Sequence, residues 1–165
     1  MTLSSAAWLD LIRRIELVDV RLVALSARRE GTDLQEGASQ ALGTVRLGVR
    51  SRLRGRTREG FKVAVDLQAE MARGDNRATR EGRVGKVSAR YEVVYAVPGG
   101  ADVPVAVLRD FARRNSVFNV WPYWRELLHS LSGKMSLGEV LVPLYRFEWS
   151  PPGQRRSKEL RGRER

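Results

Sequence analysis

Catalysis and metal binding draw on a short list of side chains, and this chain supplies few of them. Its only histidine is His129, and it has no cysteine. A zinc site would have to combine His129 with three carboxylates, against the usual pattern of Cys and His ligands. No nucleophile elbow, P-loop or dinucleotide fingerprint occurs. The nearest glycine-rich stretch, Pro98-Gly99-Gly100, carries no lysine and falls where a strand should end. The carboxylates are scattered, with no pair spaced for general acid and base roles. The chain therefore reads as a non-enzyme, with no catalytic residue, no metal site and no cofactor expected. His129 is read as a surface or half-buried helix residue.

What the sequence does supply is apolar contact. Asn115–Trp149 holds three of the four Trp, two of the four Tyr and two of the four Phe residues. Trp and Tyr offer large contact area at little entropic cost and gather at recognition surfaces. Phe118, Val120, Trp121, Trp124 and Leu128 are candidates to line a groove for apolar segments. Leu137, Val140 and Val142, from a second apolar run, are candidates for the same groove. Core or subunit interface is the competing use of Trp121 and Tyr123. Phe118 and Val120, in what reads as a connector, are the residues expected to be exposed.

The elements that must position these residues follow from periodicity. Residues 2–12 read as a short helix, with Ser4 or Ser5 as cap and Ala7, Trp8, Leu11 and Ile12 on one face. Ile15–Ala27 is β-branched and partly alternating, a first strand, and Arg28–Ala41 a loop. Val45–Met71 has apolar odd positions and polar even ones, which predicts a hairpin turning at Gly55–Gly60 with one face on a core. Pairing about that turn brings Arg50 opposite Asp66 and Arg46 opposite Glu70. The arginine row then reads as the solvated face of a sheet. Arg52, Arg54 and Arg56, without obvious partners, keep an anion-binding stripe open as the other reading. Arg73–Gly85 is a polar connection, and Lys86–Val97 is a further strand.

The period changes in the last third. Val103–Arg114 reads as a helix with Pro104 in its first turn. Ser116–Val120 is a connector. A second helix spans about Asn119 to Ser132, with Asn119 as cap, Pro122 in the first turn and Gly133 as C-cap. Val140–Phe147 is extended, and Ser150–Arg165 is a basic tail read as disordered. Strands followed by helices argue an α+β fold with helices on one face of an antiparallel sheet. One domain is expected over residues 1–149, with the tail at 150–165.

At 165 residues a single domain buries roughly 70% of its unfolded surface and needs no staples. Asp10, Arg13 and Arg14 interrupt the first apolar run, so no signal peptide is expected. No apolar stretch reaches the ~18 residues of a membrane helix. A soluble, cytoplasmic protein without membrane insertion is the expectation. The net charge of +11 implies attraction to polyanions such as nucleic acid or acidic lipid. With only four lysines among 30 basic residues, the charge also reads as compositional bias towards arginine.

Trp121-Pro122-Tyr123-Trp124-Arg125-Glu126 resembles the aromatic-Pro-Tyr-x-Arg-Glu helix start of the SecB family, the tetrameric export chaperones and their toxin–antitoxin relatives. The spacing through Ser132-Gly133-Lys134 to the apolar Leu137–Tyr145 is similar too. Ile15–Leu22 resembles the family's first strand, with Asp19 at its usual acidic position. The likeness covers roughly residues 13–147. It implies a four-stranded antiparallel sheet with C-terminal helices packed on one face. It implies a homotetramer assembled as a dimer of dimers, with Val18, Val20, Leu22 and Tyr123 as candidate interface residues. It also implies an ATP-independent holdase that takes unfolded preprotein or an antitoxin into apolar grooves, where non-directional burial accepts many sequences. Export-pathway members are acidic and dock on the SecA motor through acidic surface. This basic chain departs from that pattern, which points past SecA to an antitoxin or another specific client. The charge carries an alternative of a different class: nucleic-acid binding through the Arg46–Arg56 face and the tail.

Overall fold

The computed structural model describes residues 12–30, 42–73, 83–99, 103–137, 140, 142, 144 and 145. The expected helix at 2–12 lies outside the described residues except for Ile12, which opens a helical turn through Arg14. Most of the loop after the first strand, the connection after residue 73 and the tail at 150–165 also lie outside them.

Four long strands make one antiparallel sheet: β1 (Glu16–Arg29), β2 (Leu42–Arg56), β3 (Gly60–Arg73) and β4 (Arg83–Ala96). Their order is β1-β4-β3-β2, so β3 and β4 are central and β1 and β2 are edges. The β2–β3 hairpin turns where the sequence predicts. Thr57 closes it: its N–H donates to the Gly60 carbonyl at 2.8 Å, and its hydroxyl oxygen accepts from the Gly60 N–H at 3.1 Å. A Cβ at Gly60 would run into the carbonyl oxygen of Tyr95 on β4, so the strand can start there only without a side chain.

Alternation along the central strands fixes the two faces. Phe61, Val63, Val65, Leu67 and Ala69 of β3 stand opposite Tyr95, Val93, Tyr91, Ala89 and Val87 of β4, and all are buried. Burying each large aliphatic side chain contributes about 1.5–3 kcal/mol. The other face carries the charged and small polar residues of the same strands.

The helical layer covers the apolar face, and it departs from the sequence expectation. α1 (Val105–Phe111), a π turn (Ala112–Ser116) and α2 (Val117–Lys134) follow without a break, so the expected connector at Ser116–Val120 is itself helical. The buried positions show what the π turn does. Leu108, Ala112, Ser116, Val120, Trp124 and Leu128 are buried at an unbroken step of four, with Val117 and Trp121 beside them. In an α-helix each such step carries the stripe about 40° past a full turn. A π turn, with its i→i+5 geometry, is wound more loosely and takes out that drift, which keeps the stripe on the core.

Three further expectations change with it. Asn119 is no cap; it lies within α2, and its side-chain amide donates to the Tyr95 hydroxyl at 3.0 Å. Pro122 lies inside α2 rather than in a first turn. Gly133 is still helical, and the helix ends at Lys134 with Met135 as its cap, followed by Ser136 with φ 50° and a bond from the Leu137 N–H to the Ser132 carbonyl at 3.0 Å. Phe111 anchors α1 edge-on to the stacked pair Phe61–Tyr95, with ring centroids 5.6 and 5.0 Å away.

Candidate functional site

The expected groove residues divide sharply. Val120, Trp121, Trp124 and Leu128 face the sheet from α2 and are buried, as are Leu137, Val140 and Val142. Val120, expected to be exposed, is fully enclosed, because the helical connector turns it onto the core. Phe118 alone of the eight stands out in solvent, at 57% exposure. Tyr123 is also exposed, on the other flank of the buried stripe.

The flank that carries Phe118 already holds described residues of the C-terminal apolar run. Arg125, seven residues on from Phe118 and so on the same side of the helix, donates from Nε to the Val142 carbonyl at 3.1 Å. Tyr145 lies against Trp121 with ring centroids 5.1 Å apart. Leu137 tucks over Gly85 of β4 so closely that a Cβ there would meet its methyl group at 2.9 Å. Val142 and Tyr145 thus lie against α2 at Arg125 and Trp121, and Phe118 lies one helical turn further along the same flank. Leu144, at 70% exposure, adds apolar surface beside it. Arg125 and Tyr145 were not among the expected groove or interface residues. The Arg of the WPYWRE motif and the tyrosine closing the apolar run were the available signals.

A second apolar surface lies on β1. Leu17, Val18, Leu22, Val23 and Leu25 are exposed on a single edge strand, while Val20 packs partly against the core. Two bulges, at Val18 and Val23, interrupt its pairing with β4. They place Leu17, Val20, Leu22 and Leu25 on the helix side, opposite Tyr95, Val93, Tyr91 and Ala89. The strict alternation of Val18, Val20 and Leu22 therefore does not hold: Val18 is a bulge residue without a partner on β4. An edge strand of this length with so much apolar surface is a template for pairing with another chain. The opposite edge differs, since β2 presents arginine at Arg46, Arg50, Arg52, Arg54 and Arg56.

Charges on the open face of the sheet are knitted across strands. Asp66 accepts from Arg90 at 2.6 Å, Glu92 pairs with Lys62 at 3.4 Å, and Glu70 pairs with Lys86 at 3.4 Å and Arg83 at 3.9 Å. Burial by itself raises the Glu70 pKa. The hydrogen bond from Lys86 and the charges of Arg83, Lys86 and Arg46 outweigh it, and the carboxyl is held below its usual range.

Two tyrosines under the helical layer shift the other way. Burial, and secondarily the charge of Glu126, pushes Tyr91 from 10.0 up to about 12. Burial also raises Tyr95, against hydrogen bonds from Ser116 and Asn119 that lower it. Tyr91 ionises later folded than unfolded. Its contribution to stability is therefore complete below pH 10 and lost as pH rises through about 12. Urea midpoints measured across that window are expected to fall, and Tyr91→Phe to flatten the fall. An unchanged slope in the variant would show that Tyr91 ionises as freely folded as unfolded.

No protein-family model matches the chain, and no curated protein matches it by sequence. Among solved structures the chain is similar to the Mycobacterium tuberculosis SecB-like chaperone Rv1957, in complex with a ChAD peptide from the Rv1956 HigA1 antitoxin. The TM-score is 0.71 at 18% sequence identity, over 88% of this chain and 100% of that one. The four-stranded antiparallel sheet with its C-terminal helical layer on one face is therefore a SecB-like fold, as the WPYWRE resemblance implies.

Proposed function

From the SecB-like fold we propose that this chain is a nucleotide-independent holdase, which binds extended apolar segments of non-native polypeptides. An antitoxin is the client class that the comparison favours. The observation that carries the reading is the flank of α2. There α2 makes a side-chain bond to backbone, from Arg125 to the Val142 carbonyl, and an aromatic contact, from Trp121 to Tyr145. The Arg125 bond goes to backbone and so reads no particular sequence, while the Trp121 ring favours an aromatic or apolar side chain. Phe118 and Leu144 leave apolar surface open next to these contacts, where a client strand would lie. The buried residues Val120, Trp124 and Leu128 act beneath this surface as its support.

We assign assembly to β1. Pairing of two copies along this edge would cover Leu17, Leu22 and Leu25 and satisfy the free N–H and C=O groups of the strand. Tyr123 and the partly buried Leu127 and Leu131 supply a second apolar stripe, suited to joining two such dimers. Several client sites on one assembly would hold a client by effective concentration. The basic surface argues against docking on SecA through acidic contacts.

The test is suppression of aggregation of a chemically unfolded client, without nucleotide, at salt high enough to screen surface charge. Wild type is expected to suppress aggregation at near-stoichiometric ratios. Phe118→Ser removes an exposed aromatic whose burial against a client contributes about 1.5–3 kcal/mol, so client affinity should fall roughly tenfold or more with no loss of stability. Full suppression by a folded Phe118→Ser protein would remove the α2 flank from the reading.

A further inference from the structure

The open face of the sheet carries a feature that neither client binding nor assembly uses. A trough of about 660 Å³ crosses all four strands there. Its floor is one transverse row, Ser26, Ser88, Gln68 and Gly48, which stand opposite one another from β1 to β2. These are small or neutral side chains. The flanking rows two residues away are cationic. Arg28, Lys86 and Arg46 belong to one, and Arg90 and Arg50 to the other, with Arg52 just beyond.

The carboxylates of this face are largely committed. Asp66 is held by Arg90, and Glu70 by Lys86 and Arg83. Although Arg50 stands opposite Asp66 in the ladder, neither Arg50 nor Arg52 makes an ion pair among the described residues. Both side chains are exposed at the edge strand, so their guanidinium groups are available to a ligand.

We propose that this trough is a docking site for an acidic polypeptide segment in extended conformation. The dimensions fit. Rows four residues apart on a strand are separated by about 14 Å, a width that an extended chain spans when alternate side chains reach to either wall. Arginine forks pair bidentately with carboxylates, and the Ser and Gln floor offers hydrogen bonds to a backbone. Single-stranded nucleic acid fits less well. Among the described residues no aromatic side chain lines the trough to stack on bases. This site lies on the opposite side of the sheet from Phe118 and stands whether or not the α2 flank holds clients.

The experiment is fluorescence anisotropy of a labelled Asp-Ser repeat peptide titrated with the whole 165-residue protein, in parallel with an oligo-dT of similar charge. The acidic peptide is expected to bind, with affinity that falls as salt rises. R50S/R52S should weaken it about tenfold or more, and R50E/R52E should abolish binding. Circular dichroism would confirm that these exposed-site variants fold. R161S/R163S/R165S, in the basic C-terminal segment, should cost much less. The proposal is overturned if the peptide does not bind at low salt, or if the C-terminal variant loses as much as R50S/R52S. Oligo-dT binding more tightly than the peptide, with the same dependence on Arg50 and Arg52, would overturn it in favour of nucleic acid.

Discussion

Trp124→Ala is expected to lower the stability of the fold by about 3–5 kcal/mol, a large part of the ~5–15 kcal/mol that holds an ordinary domain. Trp124 is fully buried and lies at the middle of α2, between Val120 and Leu128 on the stripe that faces the sheet. Its indole N–H has no acceptor among the described residues, so the loss is one of packing alone. That makes a second variant informative. Trp124→Phe keeps most of the aromatic volume and removes the unsatisfied donor, whose burial costs about 1–3 kcal/mol, and should recover much of the loss. Urea unfolding followed by circular dichroism reads both. Client binding by Trp124→Ala should decline only as far as its folded fraction does. Unchanged stability with abolished client binding would instead place Trp124 on an open groove, as the aromatic cluster alone suggests.

That contrast marks where the sequence is informative. Period-two alternation over Val45–Met71 placed Arg50 opposite Asp66 and Arg46 opposite Glu70, and both pairs stand opposite each other in the sheet. The charge of Arg46 does act on the Glu70 carboxyl, but the ion pair at Asp66 did not follow from register. Asp66 takes its ion pair from Arg90 on β4, because β3 is a central strand with a neighbour on either side. Sequence spacing across one hairpin cannot weigh the second neighbour. At the helices the opposite happened. Arg113-Arg114-Asn115-Ser116 puts four polar residues between Ala112 and Val117, and a polar run reads as a break between helices. Only the sheet beneath, which buries Ala112, Ser116, Val117 and Val120 together, makes the stretch a continuous helical layer with a π turn.

The same reasoning accounts for the site residues. Aromatic residues at helical spacing fit a groove and a core equally well, and burial decides between them. Seven of the eight expected groove residues went to the core, and Phe118 remained exposed because it falls on the flank of the stripe. Apolar surface on β1 was legible as a strand, but its two bulges were not. The sequence Leu-Val-Asp-Val-Arg-Leu-Val-Ala-Leu has no glycine to mark them. Val18 and Val23 become bulge residues only through the pairing with β4.

Those bulges leave Leu22 near the centre of β1, where a charge should have its largest effect on assembly. If two copies pair antiparallel along this edge, the two-fold axis passes close to the middle of the strand, and the two Leu22 side chains approach one another. Leu22 is 44% exposed in the single chain, so the isolated fold tolerates a polar residue there. In the assembly, Leu22→Glu would bring two like charges together in a surface that pairing removes from water. Such juxtapositions cost several kcal/mol, so the dimer should weaken about a hundredfold or more. Leu22→Lys should act in the same direction, since burying the charge matters more than its sign. Val49→Glu is the control: Val49 has similar exposure at 38%, but sits on β2, the arginine-bearing edge. Sedimentation or light scattering on the three proteins and wild type reads the outcome. A monomeric wild type, or an oligomer undisturbed by either change at Leu22, would show that β1 is not where copies meet. Loss of assembly in Val49→Glu alone would move the interface to the opposite edge.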